Sequence, residues 1–375
     1  MLPSERLLAA FEGKRTDAMP WFADLTYWYS AHRTMGTLPS KYEDEGRIDL
    51  YKDLGCGAHE ELYGPVTSFE STKVKTNVHE VTEADGGSTV YTVYDTPIGQ
   101  LRKVDRSSKV SYSSATIQHP VKTEKDLKIL RFIIKDQKIT PNKEAYEHQS
   151  KLIGSWDGWG IVSSLPPRTP LSRLVVEWAG LTNVAKLQWR AREEFDETIQ
   201  VMCEADDPIY DAIERSPARF VYFGENLSSD IISPTMFKTY VGPYYHKRAS
   251  QLHSAGKLIY VHIDGTLRGL LPLLRETGVD CAQSLTPAPM GDLAVSDLRK
   301  KAGEDIVLWG GLPGALFSRT YPVDTLMGIL HEILNNYSQD RRFIIGVADQ
   351  VPPDGDIQRA RMITDVVESR QDALS

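Results

Sequence analysis

The chain has 375 residues, 41% of them hydrophobic and 25% charged, and carries a formal net charge of −8. The acidic balance argues against nucleic acid as a partner, because phosphate is met by clustered Lys and Arg. No apolar run approaches the roughly 20 residues of a membrane-spanning helix. Three cysteines, Cys56, Cys203 and Cys281, form no CxxC pair, which argues against a disulfide framework or a cysteine-rich structural zinc site. The opening Met1-Leu-Pro-Ser-Glu-Arg has no secretory pattern, so a cytoplasmic location is expected.

The first predicted element is a short helix, with Ser4 as its cap, Leu7, Leu8 and Phe11 as its apolar face and Gly13 as its end. Met19-Pro-Trp-Phe-Ala-Asp24 follows as a strand that delivers Asp24 at its tip. Residues 76–106, with Asp85-Gly-Gly87 and Thr96-Pro-Ile-Gly99 between Val- and Tyr-rich runs, read as an antiparallel β-meander. From Lys151 the rhythm becomes strand, loop, helix. The predicted strands are 151–156, 219–224, 257–262, 281–285, 306–310 and 342–348. Amphipathic stretches at 267–278, 290–303, 323–337 and 356–370 alternate with them. This alternation implies a parallel sheet with outer helices. No GxGxxG turn follows an early strand, so the expected architecture is a single-domain (β/α)8 TIM barrel over 1–375, with an N-terminal helical and β-meander elaboration.

Barrel enzymes hold their chemistry at the C-terminal strand ends. The prediction places Asp24, Trp156-Asp157, Glu225-Asn226, His262 with Asp264, Gln283 and Asp349 there. Helix capping is the competing role for Asp24 and Asp157. The clearest signal is Lys257-Leu-Ile-Tyr-Val-His-Ile-Asp-Gly265, a buried-type strand running into His262 and Asp264. Ser233-Pro234 is expected to start a short helix, and Gly242-Pro243 to stop it and begin another. His246 in that second helix would then reach the barrel mouth. His253, His79, His119 and His331 are expected to be structural or exposed. A Glu, His and Asp set of this kind suits a zinc site and suits metal-free acid/base work equally. Trp21, Tyr27, Trp28 and Tyr29 cluster early and could wall a planar substrate, although core packing accounts for most aromatics. Trp28, Trp156, Asn226 and Gln283 are the candidate substrate contacts.

A set of short segments carries a resemblance. They are Glu5–Asp17 with Pro20, Tyr94–Arg102, His119–Leu127, Gly224–Leu227, Ser233–Phe237, Val261–Gly265, Glu276–Asp280 and Phe343–Pro353. In this order and spacing the chain resembles the uroporphyrinogen decarboxylase superfamily, and more closely its corrinoid-dependent methyltransferase branch. The resemblance implies a (β/α)8 barrel with its site at the C-terminal mouth. True decarboxylases of the family carry an arginine-rich segment after the first strand; here Ala23–Arg33 has the aromatic run Tyr27-Trp-Tyr29 and one Arg, which argues against tetrapyrrole decarboxylation. Thiol-methylating members bind zinc through His-x-Cys and a later Cys. This chain has His262-Ile-Asp264 and Asp349 at those places, and that donor change favours an oxygen substrate over a thiol. What the resemblance then implies is the first methyltransferase of an O-demethylase, acting on an aromatic methyl ether. Zinc would be held by Glu225, His246 and His262, with Asp264, Asp349 and Asp24 in catalysis. No Asp-x-His-x-x-Gly segment occurs, so the corrinoid is expected on a partner protein. The alternatives are a methyl-corrinoid-to-thiol or -folate methyltransferase, and a barrel that binds without catalysis. A homo-oligomer is compatible with all three.

Overall fold

A computed structural model describes residues 1–44, 46–62, 66–108 and 113–372. The chain forms two compact units, one of residues 1–64, 146–165 and 216–375, the other of residues 65–145 and 166–215.

The first unit is the barrel. Its eight strands are β1 (Trp21–Phe22), β2 (Ala58–Leu62), β3 (Gly160–Ser164), β4 (Phe220–Leu227), β5 (Leu258–Ile263), β6 (Cys281–Leu285), β7 (Val307–Pro313) and β8 (Phe343–Ala348). All pair in parallel in the spatial order β1-β8-β7-β6-β5-β4-β3-β2. A parallel bridge between Phe22 and Gly57 closes the ring. The (β/α)8 architecture expected from the sequence is therefore present.

Alternation along each strand decides what fills the barrel. Phe22, Ile161, Phe220, Tyr222, Tyr260, Cys281, Val307, Trp309 and Ile344 form one buried cluster with Leu7, Ala10 and Phe11 of the N-terminal helix Pro3–Phe11. The helix packs against this cluster, and Phe11 meets Phe220 edge-to-face at 5.4 Å between ring centroids. Stepping by two along β5 from Tyr260 gives His262, and along β6 from Cys281 gives Gln283. Two glycines make room for the rings. A Cβ at Gly57 would lie 2.5 Å from the Phe22 ring, and one at Gly346 would lie 2.6 Å from the Trp309 indole.

Several predicted boundaries are corrected. Ser4 does not cap the first helix: Leu2 holds that place, Glu5 accepts its N–H at 2.7 Å, and Ser4 sits in the first turn. Residues 151–156 are not a strand; they fall in and just after the helix Lys143–Ser155, and β3 begins four residues later. The apolar Leu152-Ile153 pair misleads because it lies within a helix (Ile153 itself is exposed). Gly242-Pro243 does begin a helix, Gly242–Ser254, as expected, but the chain before it does not break. Ser233 caps that preceding run through the Met236 N–H, a π-type turn at Phe237–Val241 carries the chain on, and Pro243 enters at the opening of Gly242–Ser254, where a missing N–H costs nothing.

The second unit extends well beyond the predicted meander. Its four-stranded antiparallel sheet runs through Lys75–Thr82, Ser88–Thr96, Gly99–Ser108 and Ser113–Gln118. A separate antiparallel pair joins Thr67–Ser71 to Gln137–Pro141. Helices Glu124–Lys135 and Arg192–Ala205 are tied by the buried Arg131, which pairs with Glu194 and donates to the Thr198 hydroxyl. Among the described residues no helix is long and apolar enough to cross a membrane.

Candidate active site

His262 is the best-defined group at the C-terminal end of the barrel. It is 6% exposed, and its register partner on β6 is Gln283, itself 1% exposed. Nδ1 of His262 lies 2.8 Å from Oε1 of Gln283. An amide oxygen can only accept, so Nδ1 carries the hydrogen and Nε2 is left as the lone pair. That nitrogen faces Asp349, with Oδ1 at 3.9 Å.

Asp349 follows β8 and is fixed by its backbone. The β6–β7 register slips between Gln283 and Leu285, leaving Ser284 as an extra residue with φ +70°. Its hydroxyl accepts the Asp349 N–H, and Asp349 itself sits at φ +62°. A matching irregularity between Phe223 and Leu227 on β4 puts Asn226 at φ +51°. Bulges of this kind re-aim side chains beside active sites, and left-handed backbone at non-glycine residues gathers where function holds it. Glu225 is buried within that irregularity, while Asn226 and Asp264 are exposed.

Asp349 keeps 64% of its side-chain surface open, yet its pKa is raised. Partial desolvation against the mouth is the main cause; His262 opposes it, and the charges of Asp264 and Asp24 add to it. Those interactions also show that His262, Asp349, Asp264 and Asp24 share one electrostatic neighbourhood.

Asp24 has two jobs. One carboxylate oxygen accepts the Thr26 N–H at 3.0 Å at the start of helix Thr26–Met35, although Leu25, and not Asp24 as the capping alternative had it, holds the N-cap position. The other lies 3.4 Å from Nε2 of His59. His59, on β2, is 4% exposed and packs on Trp309, Tyr222 and Tyr260. The sequence reading missed it, because β2 is announced only by the small residues Cys56-Gly-Ala58, of which Gly57 has no room for a side chain against the Phe22 ring. A histidine directly after a buried small-residue run was the available signal.

The remaining candidates are scattered. Trp28 is buried and donates from Nε1 to the Gly355 carbonyl at 3.1 Å, with its ring on His32. Trp156 and Asp157 lie in the turn that enters β3, at the N-terminal end of the barrel, and Trp156 packs on Tyr51; they are not at a C-terminal strand end as predicted. His246 is exposed on its helix. Among the described residues no three His, Cys, Asp or Glu are gathered so as to hold a metal ion. The Glu225, His246 and His262 set therefore does not fit zinc as it stands. His253 pairs with Asp280, His119 with the Val176 carbonyl, and His79 stacks on Tyr91, all structural or exposed as expected.

A family model for uroporphyrinogen decarboxylase (URO-D) matches residues 112–370, well over half of the chain. The chain belongs to the uroporphyrinogen decarboxylase family. Among solved structures, a methyltransferase from Methanosarcina mazei aligns over 99% of both chains with a TM-score of 0.62 and 14% identity, a shared fold. A D-psicose 3-epimerase solved in the presence of D-fructose aligns over 60% of this chain and 82% of its own, with a TM-score of 0.31 and 12% identity. No curated protein sequence matches. Within this family the described barrel supplies two imidazoles, His262 and His59, each paired with a polar neighbour, and a carboxyl, Asp349, whose pKa burial raises.

Proposed function

We propose that this chain is a methyltransferase that takes the methyl group of an O-methyl donor, an aromatic methyl ether in the first instance, and passes it to the Co(I) corrinoid of a partner protein. Family membership and the fold shared with the methanogen methyltransferase support the methyltransferase class. The observation that carries the oxygen-linked donor is Asp349 beside His262, a carboxyl of raised pKa where a soft-thiol site would need a thiolate. The cysteines of the barrel offer none: burial pushes the Cys56 thiol up to about 12 and that of Cys281 well above its usual value.

An ether resists cleavage because an alkoxide or phenoxide must leave, so a proton delivered to that oxygen lowers the barrier. The docked corrinoid supplies the nucleophile. The C–O bond breaks with its electron pair staying on oxygen, while the methyl carbon takes the pair from Co(I), which is oxidised by two electrons. Asp349 gives its proton to the oxygen and regains one through its open side. His262, oriented by Gln283, presents its Nε2 lone pair to that carboxyl and holds it towards the mouth. Metal analysis and chelation of the active protein test whether zinc belongs.

The test mixes the protein with reduced corrinoid protein and a panel of methoxylated aromatics, following methylation of cobalt by its absorbance. Methylation with at least one member is expected. If no member methylates cobalt while methylated corrinoid readily passes its methyl to a thiol, the direction is wrong.

A further inference from the structure

The mechanism above leaves His59 unused, and its surroundings are unusual. The ring is almost fully buried, yet Nδ1 has no hydrogen-bond partner among the described residues. A buried polar atom without a partner carries its full desolvation cost. On its other side Nε2 faces the Asp24 carboxylate at 3.4 Å. A carboxylate can only accept, so the favoured tautomer has the hydrogen on Nε2 and leaves Nδ1 as a bare acceptor. Tyr222 touches both imidazoles, with ring centroids 6.3 Å from His59 and 6.0 Å from His262. The unsatisfied acceptor therefore belongs to the neighbourhood of the proposed reaction.

We propose that His59 Nδ1, with Asp24 fixing its tautomer, accepts a hydrogen bond from a hydroxyl or N–H group of the methyl donor. The substrate class is thereby narrowed to methyl donors that carry a second, hydrogen-bond-donating group. This assignment rests on the methyl-transfer reading for the identity of the ligand as a methyl donor. It does not rest on which residue protonates the leaving oxygen. The chemistry follows from satisfiability: a site built to pair with an O–H rejects an analogue lacking it, because its own buried group is then left unpaired.

Binding of matched pairs that differ by one O–H tests this without turnover. The probes are 2-methoxyphenol against 1,2-dimethoxybenzene, and 2-methoxyethanol against 1,2-dimethoxyethane, titrated by calorimetry. At least one hydroxyl-bearing member should bind the unaltered protein about tenfold or more tighter than its capped analogue. His59→Phe should abolish the preference, with circular dichroism confirming the fold. Asp24→Asn supplies the sharper control. Its amide oxygen can keep the Thr26 contact while its NH2 donates to Nε2, which forces the hydrogen onto Nδ1 and turns the acceptor into a donor. The preference should then shrink or reverse in favour of the capped analogue. Equal binding of both members by the unaltered protein, no binding by any hydroxyl-bearing member, or a preference untouched in both variants overturns the assignment. Cobalt methylation from donor-free ethers without discrimination would sink this inference alone. Discrimination at His59 without cobalt methylation would instead sink the methyl-transfer reading.

Discussion

The two ends of the barrel use the same eight strands and the same inward alternation, yet they are built for different ends. At the N-terminal end the inward positions are Phe220, Ile161, Val307 and Ile344, packed on Leu7 and Phe11. Two residues beyond Tyr260 and Cys281 of the same cluster, the inward positions become His262 and Gln283, and the backbone beyond them is kinked at Asn226, Ser284 and Asp349. Stability comes from the first layer, through buried apolar area. The second layer spends some of that stability on buried polar groups and left-handed backbone, and gains chemistry.

Breaking the apolar end should have the largest effect. Phe220→Ala removes a buried ring from the Phe11 contact and should cost about 3–5 kcal/mol in denaturant unfolding, with kcat of the surviving folded protein little changed. An equal loss of activity and stability would erase the division between the two ends. At the polar end, Asp349→Asn should lower the rate of cobalt methylation by about 10²-fold or more, with stability nearly unaltered. A pH profile sharpens this. The raised pKa of Asp349 means its acid form persists above the ordinary carboxylate range, so the rate of the unaltered enzyme should fall as pH rises through that pKa. The Asn variant should lose this limb. A profile unchanged by the substitution would remove Asp349 as the acid. Smaller still, Gln283→Leu should cost roughly tenfold in rate by freeing the His262 tautomer, and Gln283→Glu, which still accepts from Nδ1, should recover most of it. Equal loss in both variants would assign Gln283 to packing alone.

Much of this division was legible in the residues. A strand such as Lys257–Gly265 announces both its burial and its polar tip, which is why His262 and the ends of β5, β6 and β8 are within a residue of where they were expected, while β7 runs three residues further, to Pro313. The barrel follows from βα alternation. Two kinds of feature were hidden. Strand β2 contains too little apolar surface to show as a strand, since Gly57 must stay small beneath the Phe22 ring, and His59 was lost with it. The helix Lys143–Ser155 put apolar Leu152-Ile153 where a strand was wanted, which displaced Trp156 to the wrong end. The geometry around His246 depended on a π-type turn passing a Gly-Pro pair, and local propensity reads that pair as a stop. Bulges such as that at Ser284 depend on pairing between strands distant in sequence, which no single segment specifies.

The closing bridge between Phe22 and Gly57 has one more meaning. β1 is only two residues long, and the ring shuts there through two backbone hydrogen bonds, from Ala23 N–H to the Gly57 carbonyl at 3.1 Å and from Gly57 N–H to the Trp21 carbonyl at 2.9 Å. Two residues above that seam, Asp24 and His59 face each other like the halves of a clasp. A molecule held by His59 fastens the clasp at the point where the cylinder has least thread. Slowed amide exchange at Gly57 on addition of a hydroxyl-bearing methyl donor would register both events in one signal.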